Sequence, residues 1–231
     1  MNNVEILIPT FNEADNIEIV IQELNNNGFL NITLLDANST DMTVDIGKKY
    51  NCKIISDTDE INGFGGSVIN GLSNLEKDYF CIFDGDGSFN PSDIITMKNK
   101  ISEGYDFVFG SRYLNGEISD DDDIFSKFGN YFFTKIVRIL FKIDTSDVLF
   151  LYVLGKKSNI HKLQLIQKDY SICSEFIIKA YKHFKSTEIL SKERKRLHGK
   201  SKVNKVLAGL TLLINIIKLR IFIKWKKKLL L

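Results

Sequence analysis

Tyr79-Phe80-Cys81-Ile82-Phe83-Asp84-Gly85-Asp86 decides the reading of this chain. Five apolar or aromatic residues in a row run straight into two carboxylates one residue apart. Such a run, too short for a helix, suits a strand buried on both faces of a parallel sheet. The same grammar recurs on either side. Residues 4–8 are apolar and stop at Pro9, with Thr10-Phe11-Asn12-Glu13 behind it, and residues 32–35 stop at Asp36. Residues 53–55 make a third strand, and residues 106–109 precede Gly110-Ser111-Arg112. Between these runs the spacing turns helical, as at Ile17, Val20, Ile21 and Leu24. Further helices are expected over 43–50, from the turn Gly63-Phe64-Gly65-Gly66 through Leu75, and over 93–101. Alternation with short connections predicts an α/β fold, a mostly parallel central sheet flanked by helices. Ligands of such sheets sit beyond the carboxyl ends of the strands. The polar clusters at 9–13, 36–41, 84–86 and 110–112 are therefore expected on one rim.

The chain has 231 residues and is 44% hydrophobic, which excludes a disordered or fibrous protein and allows a full core. Cys52, Cys81 and Cys173 lie far apart and form no CxxC, so they read as buried thiols of a reducing compartment. The polar N-terminus offers no signal peptide, and no stretch reaches the roughly 18 apolar residues that a spanning helix requires. A cytoplasmic protein is the expectation. The net charge of +2 hides an asymmetry: residues 182–228 hold 15 Lys and Arg against Glu188 and Glu193, while the remainder holds 16 basic and 27 acidic groups. An acidic body with a basic, partly apolar end points to a membrane surface or a polyanion. Residues 1–202 read as one domain and residues 203–231 as a basic amphipathic appendage. The second half is less regular, with helices expected over 124–141 and 174–183 and a basic loop over 193–202.

Several groups suit chemistry. Asp84 and Asp86 can face one hard cation, Mg²⁺ or Mn²⁺, with Gly85 letting the backbone approach; Asp and Gly are equally ordinary turn residues. Asp36 is a pure acceptor for a base or ribose, while Ser39 or Thr40 can cap the following helix, with Asp41 in its first turn. Phe11 offers a stacking face beside Glu13. The turn at 63–66 is glycine-rich enough to hold a phosphate, although it matches neither GxGxxG nor a Walker sequence. Glu175 opens a helix, as a general base or as a first-turn acid favoured by the helix dipole. His161, His183 and His198 have no metal or triad spacing. The acidic run 120–123 reads as a solvated loop near the rim.

Taken together and in order, Ile8-Pro9-Thr10-Phe11-Asn12-Glu13, Asp36 to Thr43, Asp84-Gly85-Asp86 with Asn90-Pro91, and Gly110-Ser111-Arg112 resemble the family 2 glycosyltransferases of the GT-A fold. Arg196-Leu197-His198-Gly199-Lys200-Ser201-Lys202 is similar to the late Arg-x-x-Gly-x-Ser-Lys segment of dolichol- and polyprenyl-phosphate sugar synthases. The resemblance implies that Pro9, Phe11, Glu13, Leu34 and Asp36 line the pocket of a nucleotide-diphospho-sugar donor. It implies that Asp84 and Asp86 hold the metal, and that Phe83 and Gly85 touch the donor through their backbone. Arg112, Arg196 and Lys202 would bind phosphates of donor or acceptor, the catalytic set being Asp86, Arg112 and Arg196, with Glu175 as a possible base. Three positions depart from the pattern: Ala37-Asn38 where Asp-Gly is frequent, Phe64 where a basic residue is usual, and Leu151 where glycine is common.

The C-terminal segment places Val206, Leu207, Leu210, Leu213, Ile214 and Ile217 at helical spacing ahead of Lys218, Arg220, Lys224, Trp225 and a lysine triplet. Tryptophan and lysines beside an apolar face suit the headgroup region, where anionic lipid contributes about 1 kcal/mol per basic residue. Docking of this helix on the protein itself or on a second copy is the other possibility. The expected activity is metal-dependent, inverting sugar transfer to a lipid phosphate at the cytoplasmic face of the membrane. A saccharide hydroxyl as acceptor, or a non-catalytic nucleotide-sugar-binding scaffold, are the competing readings. No nucleic-acid motif accompanies the basic stretch.

Overall fold

The computed structural model describes residues 3–58, 61, 63–116, 124–199 and 205–229. Its strands are β1 (Val4–Thr10), β2 (Ile32–Asp36), β3 (Lys53–Ser56), β4 (Tyr79–Ile82), β5 (Phe107–Ser111), β6 (Val153–Lys156) and β7 (Ser186–Leu190). They form one sheet in the order β3-β2-β1-β4-β6-β5-β7. Only β6 runs against its neighbours, pairing antiparallel with β4 and β5. The five strands expected from apolar runs are all present. Sequence reasoning missed β6 and β7. Of the four residues of β6 one is glycine, and β7 is a half-polar edge strand, Ser-Thr-Glu-Ile-Leu. Gly155 lies where a Cβ would come within 2.5–2.9 Å of the Phe107 and Phe80 rings, so the sheet centre closes only over a bare backbone.

Alternation along the strands divides the core in two. Ile6, Ile8 and Leu34 face α1 (Ala14–Asn26), α2 (Thr43–Lys49) and α4 (Asp93–Ser102), with Ile17, Val20, Ile21 and Leu24 of α1 buried as their spacing predicts. Leu7, Leu35, Ile82 and Phe109 face α3 (Phe64–Ser73), α5 (Ile124–Phe141), α7 (Ile172–His183) and α8 (Lys205–Leu229); a single turn, α6 (Ile160–Leu163), precedes α7. The pair Leu34-Leu35 shows the division. A Cβ on Gly47 of α2 would touch Leu34, and one on Gly71 of α3 would touch Leu35. Each such leucine contributes roughly 1.5–3 kcal/mol by leaving water. Cys81 and Cys173 are buried and Cys52 half-buried, all three free thiols.

The C-terminal helix differs from the amphipathic reading. Leu212, Ile216 and Leu219 are buried against the body, yet Val206, Leu210, Ile214, Ile217, Ile221 and Phe222 on its other side are exposed. Apolar side chains thus lie on both its buried and its exposed sides. The expectation that no segment has the length of a membrane span is also corrected: Val206–Ile223, of mean hydropathy 2.1, is long and apolar enough to cross one. Gly209, Thr211, Asn215, Lys218 and Arg220 interrupt the run, which is why counting unbroken apolar residues misses it. The side chains of 224–231 and the acidic run 120–123 lie outside the described residues.

The first turn of α3 explains the glycines. Residues 167–169 lie directly upon it: the Gly66 N–H donates to the Lys168 carbonyl at 3.1 Å, and a Cβ on Gly65 would meet the Gln167 carbonyl at 2.3 Å. The turn is glycine-rich for backbone contact, and its amide is already used, so it is no phosphate cradle. Gly65→Ala is accordingly expected to lose about 1–3 kcal/mol through overpacking. Gly129→Ala in α5, with nothing within 4 Å of the new methyl, should gain up to about 1 kcal/mol from helix propensity. Urea unfolding of both variants checks the pair; equal midpoints would contradict it.

Candidate active site

The four polar clusters do meet at one end of the sheet. Asp36, at the end of β2, is buried; its Oδ2 accepts the Ser39 N–H at 3.0 Å, and Thr10 Oγ1 donates to its Oδ1 at 3.5 Å. The loops after β1 and β2 are laced together. The Asn12 N–H donates to Ser39 Oγ (2.9 Å), that of Glu13 to Thr43 Oγ1 (2.8 Å) and that of Ala14 to Asp41 (3.1 Å). Asp41 also accepts the Thr43 N–H at 2.9 Å, so it serves the first turns of both α1 and α2. Helix α2 starts only at Thr43, and Ser39 and Thr40 cap nothing. Phe11 is 46% exposed on this rim. Leu34 does not reach the rim: it is fully buried beneath α2 and belongs to the core.

Asp84 and Asp86 follow β4, with Gly85 pressed against Ile8 and the Pro9 carbonyl. Asp86 is 7% exposed, and its Oδ1 accepts the Ser88 N–H at 2.8 Å. Its Oδ2 lies 3.0 Å from Nη2 of Arg196, whose Nη1 donates to Glu13 at 3.2 Å. One guanidinium thus ties the loop after β1 to the loop after β4. The segment that carries it is stitched down by backbone bonds. Ser191 N–H donates to the Ser111 carbonyl (2.9 Å), Arg194 N–H to that of Ser88 (2.8 Å) and Leu197 N–H to that of Asp86 (3.0 Å). Leu197 rests on Gly87, which has φ +83° and no room for a Cβ. Asn16, buried on α1, accepts the His198 N–H at 2.9 Å and donates to Glu13 at 2.6 Å.

Arg112 is gripped from both sides. Its Nε and Nη2 donate to Asp147 at 2.8 and 3.1 Å, Nη1 donates to Glu193 at 3.1 Å, and its plane lies over Phe150. Between Arg112 and Asp84 opens a cavity of about 160 Å³, walled by Pro9, Phe64, Phe83, Phe150, Leu151 and Tyr170 among others. Phe64 stacks on Tyr170, ring centroids 4.9 Å apart. The two departures Phe64 and Leu151 therefore share this wall.

Glu175 stands apart. Fully buried, it pairs with Lys179 at 2.6 Å, and its other oxygen accepts the Ile166 and Gln167 N–H groups. It secures the loop that covers α3, and no part of it reaches the cavity; a general-base role is corrected to a structural one. His161, His183 and His198 are exposed. Lys202 lies outside the described residues. Sequence reasoning passed over Asn16, Asp147 and Glu193. For Glu193 a signal existed: the basic stretch 182–228 holds only two acids, and both are used at this end. Glu188 accepts hydrogen bonds from Thr145 and Ser146, and Glu193 binds Arg112.

Burial raises the pKa of Asp84 most, Asp86 and Glu13 raise it further, and Arg196 only partly opposes them, leaving it at about 8. Glu13, Asp84 and Asp86 are a surplus of carboxylates over the one Arg196 cation, relieved here by the proton that Asp84 keeps. That surplus on hard oxygens fits Mg²⁺ or Mn²⁺. Among the described residues no three His, Cys, Asp or Glu side chains form a complete cage. The fit is to a cation that completes its shell with phosphate and water.

A mostly parallel sheet with helices on both faces, carboxylates at the end of β4 and arginines on the same rim define a nucleotide-sugar transferase of the GT-A fold. The comparisons agree. The glucosyl-3-phosphoglycerate synthase of Mycobacterium tuberculosis, solved with Mn²⁺, UDP and phosphoglyceric acid, superimposes with a TM-score of 0.72 at 15% identity, over 94% of this chain and 78% of that one. The model of the family Glycosyl transferase family 2 matches residues 5–163, and the chain belongs to that family. It is 30% identical to the UDP-N-acetylglucosamine–dolichyl-phosphate N-acetylglucosaminyltransferase of Methanococcus voltae, over 78% of this chain and 80% of that protein. It is 29% identical to the dolichol-phosphate mannosyltransferase of Pyrococcus furiosus, over 87% of this chain but 59% of that longer protein.

The charge surplus predicts a pH signature. An aspartate that ionises near 3.8 when unfolded and near 8 when folded holds, between those values, a proton that the unfolded chain has lost. Stability therefore falls as pH rises through that window. Asp84→Asn removes the group, so without divalent ions its Tm should exceed the wild type's, by more at pH 8 than at pH 5. Calorimetry in EDTA measures the gap; a gap constant with pH would contradict the assignment.

Proposed function

We propose that the chain transfers a sugar, with inversion, from a nucleotide-diphospho-sugar to a polyprenyl-phosphate-type lipid at the cytoplasmic face of a membrane. The observation that carries this reading is the acid cluster Glu13, Asp84 and Asp86, in which Arg196 bridges Glu13 and Asp86 and Asp84 opens on a cavity that ends at Arg112. Pro9, Phe11, Glu13 and Asp36 contact the nucleotide, and Phe83 and Gly85 approach the donor through their backbone. Asp84 and Asp86 hold Mg²⁺ or Mn²⁺, which when bound neutralises the diphosphate and stabilises it as a leaving group. Arg196 and Lys202 supply further positive charge to departing phosphate, and Arg112 faces the acceptor end. Arginine's planar fork suits phosphate oxygens, and preorganised charge acts without reorganisation as the diphosphate leaves.

Three observations favour a lipid phosphate over a saccharide hydroxyl. An acceptor phosphate is already ionised near neutral pH and needs no base, and Glu175 is committed to Lys179 and two backbone amides. The exposed apolar side of α8 suits lipid, and two relatives carry dolichol-phosphate substrates in their names. Residues 1–202 form the catalytic domain and residues 203–231 its membrane-seeking appendage, although α8 also completes the core through Leu212, Ile216 and Leu219.

Transfer from nucleotide sugars to polyprenyl phosphate, assayed with and without Mn²⁺, tests the proposal. Asp86→Ala should lower turnover by about 10²–10³, the size of losing one preorganised electrostatic contact, and abolish metal-dependent donor binding. Full turnover in that variant, or transfer to a saccharide with none to the lipid, would overturn it. For the membrane, replacing Leu210, Ile214 and Ile221 by Asn should abolish flotation on anionic liposomes while Tm stays near the wild type's, since all three are exposed. High salt alone should release the wild type only in part, because screening shortens to about 3 Å at 1 M salt but leaves apolar burial intact. Equal flotation of both proteins would remove α8 as the anchor.

A further inference from the structure

Apolar side chains on both sides of α8 mean that burial alone does not decide which side the helix turns to the body. Leu212, Ile216 and Leu219 are buried, whereas Leu210, Ile214 and Ile217 are exposed. Rotating the helix exchanges one set of aliphatic side chains for another of similar volume. The hydrophobic effect is non-directional and separates the two seatings only weakly. A directional contact has to choose between them.

Asn215 makes such a contact. It lies half-buried beside Leu212, Ile216 and Leu219, and its Nδ2 donates to Ser171 Oγ at 3.0 Å and to Asp169 Oδ2 at 3.5 Å. Both acceptors belong to the turn that starts α7: Asp169 Oδ1 accepts the Ser171 N–H at 2.7 Å, and Ser171 is buried. Between them in the chain stands Tyr170, whose ring stacks on Phe64 in the wall of the cavity between Asp84 and Arg112. The Cys173 N–H donates to the Tyr170 carbonyl at 3.2 Å, and Cys173 lines the same cavity. Asn215 thus grips the chain on either side of Tyr170. A polar residue in an apolar helix seam lowers stability but specifies one register, and that is the role this amide fits.

Resting on the proposed reaction, we infer that Asn215 is a positioning residue. Through Ser171 and Asp169 it fixes the rotation of α8 and holds Tyr170 in the wall where sugar and acceptor phosphate meet. It touches no substrate itself and acts through Tyr170.

Alkylation and turnover of the full-length protein test the inference. Asn215→Leu keeps the size and suits a helix but removes the donor, and Ser171→Ala removes an acceptor from the other side. A buried thiol reacts only as its surroundings open. Iodoacetamide labelling, read by mass spectrometry, therefore reports on the cavity wall at Cys173 and on the sheet at Cys81, which is fully buried. Each substitution should speed labelling of Cys173 at least fivefold and change that of Cys81 less than twofold, and the Tm of Asn215→Leu should not fall. In transfer to polyprenyl phosphate, both variants should lose at least fivefold in kcat/KM for the lipid, with the KM for the donor within twofold of wild type. Adding Asn215→Leu to Tyr170→Ala should then lower turnover less than twofold further, because residues that act as one unit are not additive. Unchanged labelling of Cys173, or additive losses in the double variant, would overturn the inference. So would faster labelling of both cysteines with a lowered Tm, the mark of general loosening. A wild type inactive on polyprenyl phosphate would instead overturn the proposed reaction, while labelling still decides whether Asn215 holds Tyr170 in place.

Discussion

Arg196 between Glu13 and Asp86 is the contact on which the rest of the site depends. Charges half removed from water are costly unless paired and hydrogen-bonded. Here three carboxylates from two loops are gathered where the sheet ends, and one guanidinium partly neutralises them. Withdrawing that cation would leave Asp84 and Asp86 repelling one another across a single glycine. The segment around it is therefore held by bonds that do not themselves titrate: backbone amides onto Ser111, Ser88 and Asp86, and the Asn16 side chain onto His198. Arg194, bonded to Glu23 and the Phe89 carbonyl, is a second anchor two residues away. Geometry is set by neutral bonds and charge is balanced by Arg196, so the cation can exchange partners while the loop stays in place.

The one reversed strand makes this arrangement possible. With β6 inserted antiparallel between β4 and β5, the carboxyl ends of β4 and β5 still point the same way but stand two strands apart. The gap between them is filled by the aromatic group Phe83, Phe89, Phe150 and Tyr152, packed edge to face and stacked. Arg112 lies over the rim of that group, on Phe150, and is held in plane by Asp147. Arg112 lines the cavity at one end and Asp84 at the other, next to the acids that Arg196 pairs with, so each arginine is fixed by acids of its own.

The first half of the fold was legible because each of its strands is an apolar run that ends on polar residues, and each helix on that side presents a regular stripe. The same feature placed Asp36, Asp84, Asp86 and Arg112 on one rim, since the carboxyl end of a parallel strand is a topological address. The second half was not, for identifiable reasons. Strand β6 is four residues long with a glycine chosen to fit Phe107, and β7 alternates too weakly to stand out from a loop. Glu175 shows the limit at single residues. A first-turn glutamate looks alike whether it faces solvent, substrate or, as here, a lysine one turn on and two backbone amides. Leu34 shows the converse: it shares a face with Asp36, two residues on, but lies further from the strand's carboxyl end, covered by Gly47 of α2.

The C-terminal helix links the apolar surface to the cavity. Its inner stripe, Leu212, Ile216 and Leu219, is part of the core formed with α3, α5 and α7. Between those residues Asn215 donates to Ser171 Oγ at 3.0 Å. Ser171 lies next to Tyr170, which stacks on Phe64 to form one wall of the cavity. The loop 164–168 that precedes Tyr170 is held from below by Glu175 and Lys179. A rotation of α8 about its axis would therefore pull directly on the cavity wall, because the polar contact and the apolar stripe share one face. On its opposite side Leu210, Ile214, Ile217 and Ile221 are exposed. The same helix both carries the apolar surface and positions Tyr170, so the cavity keeps its orientation to whatever surface α8 engages.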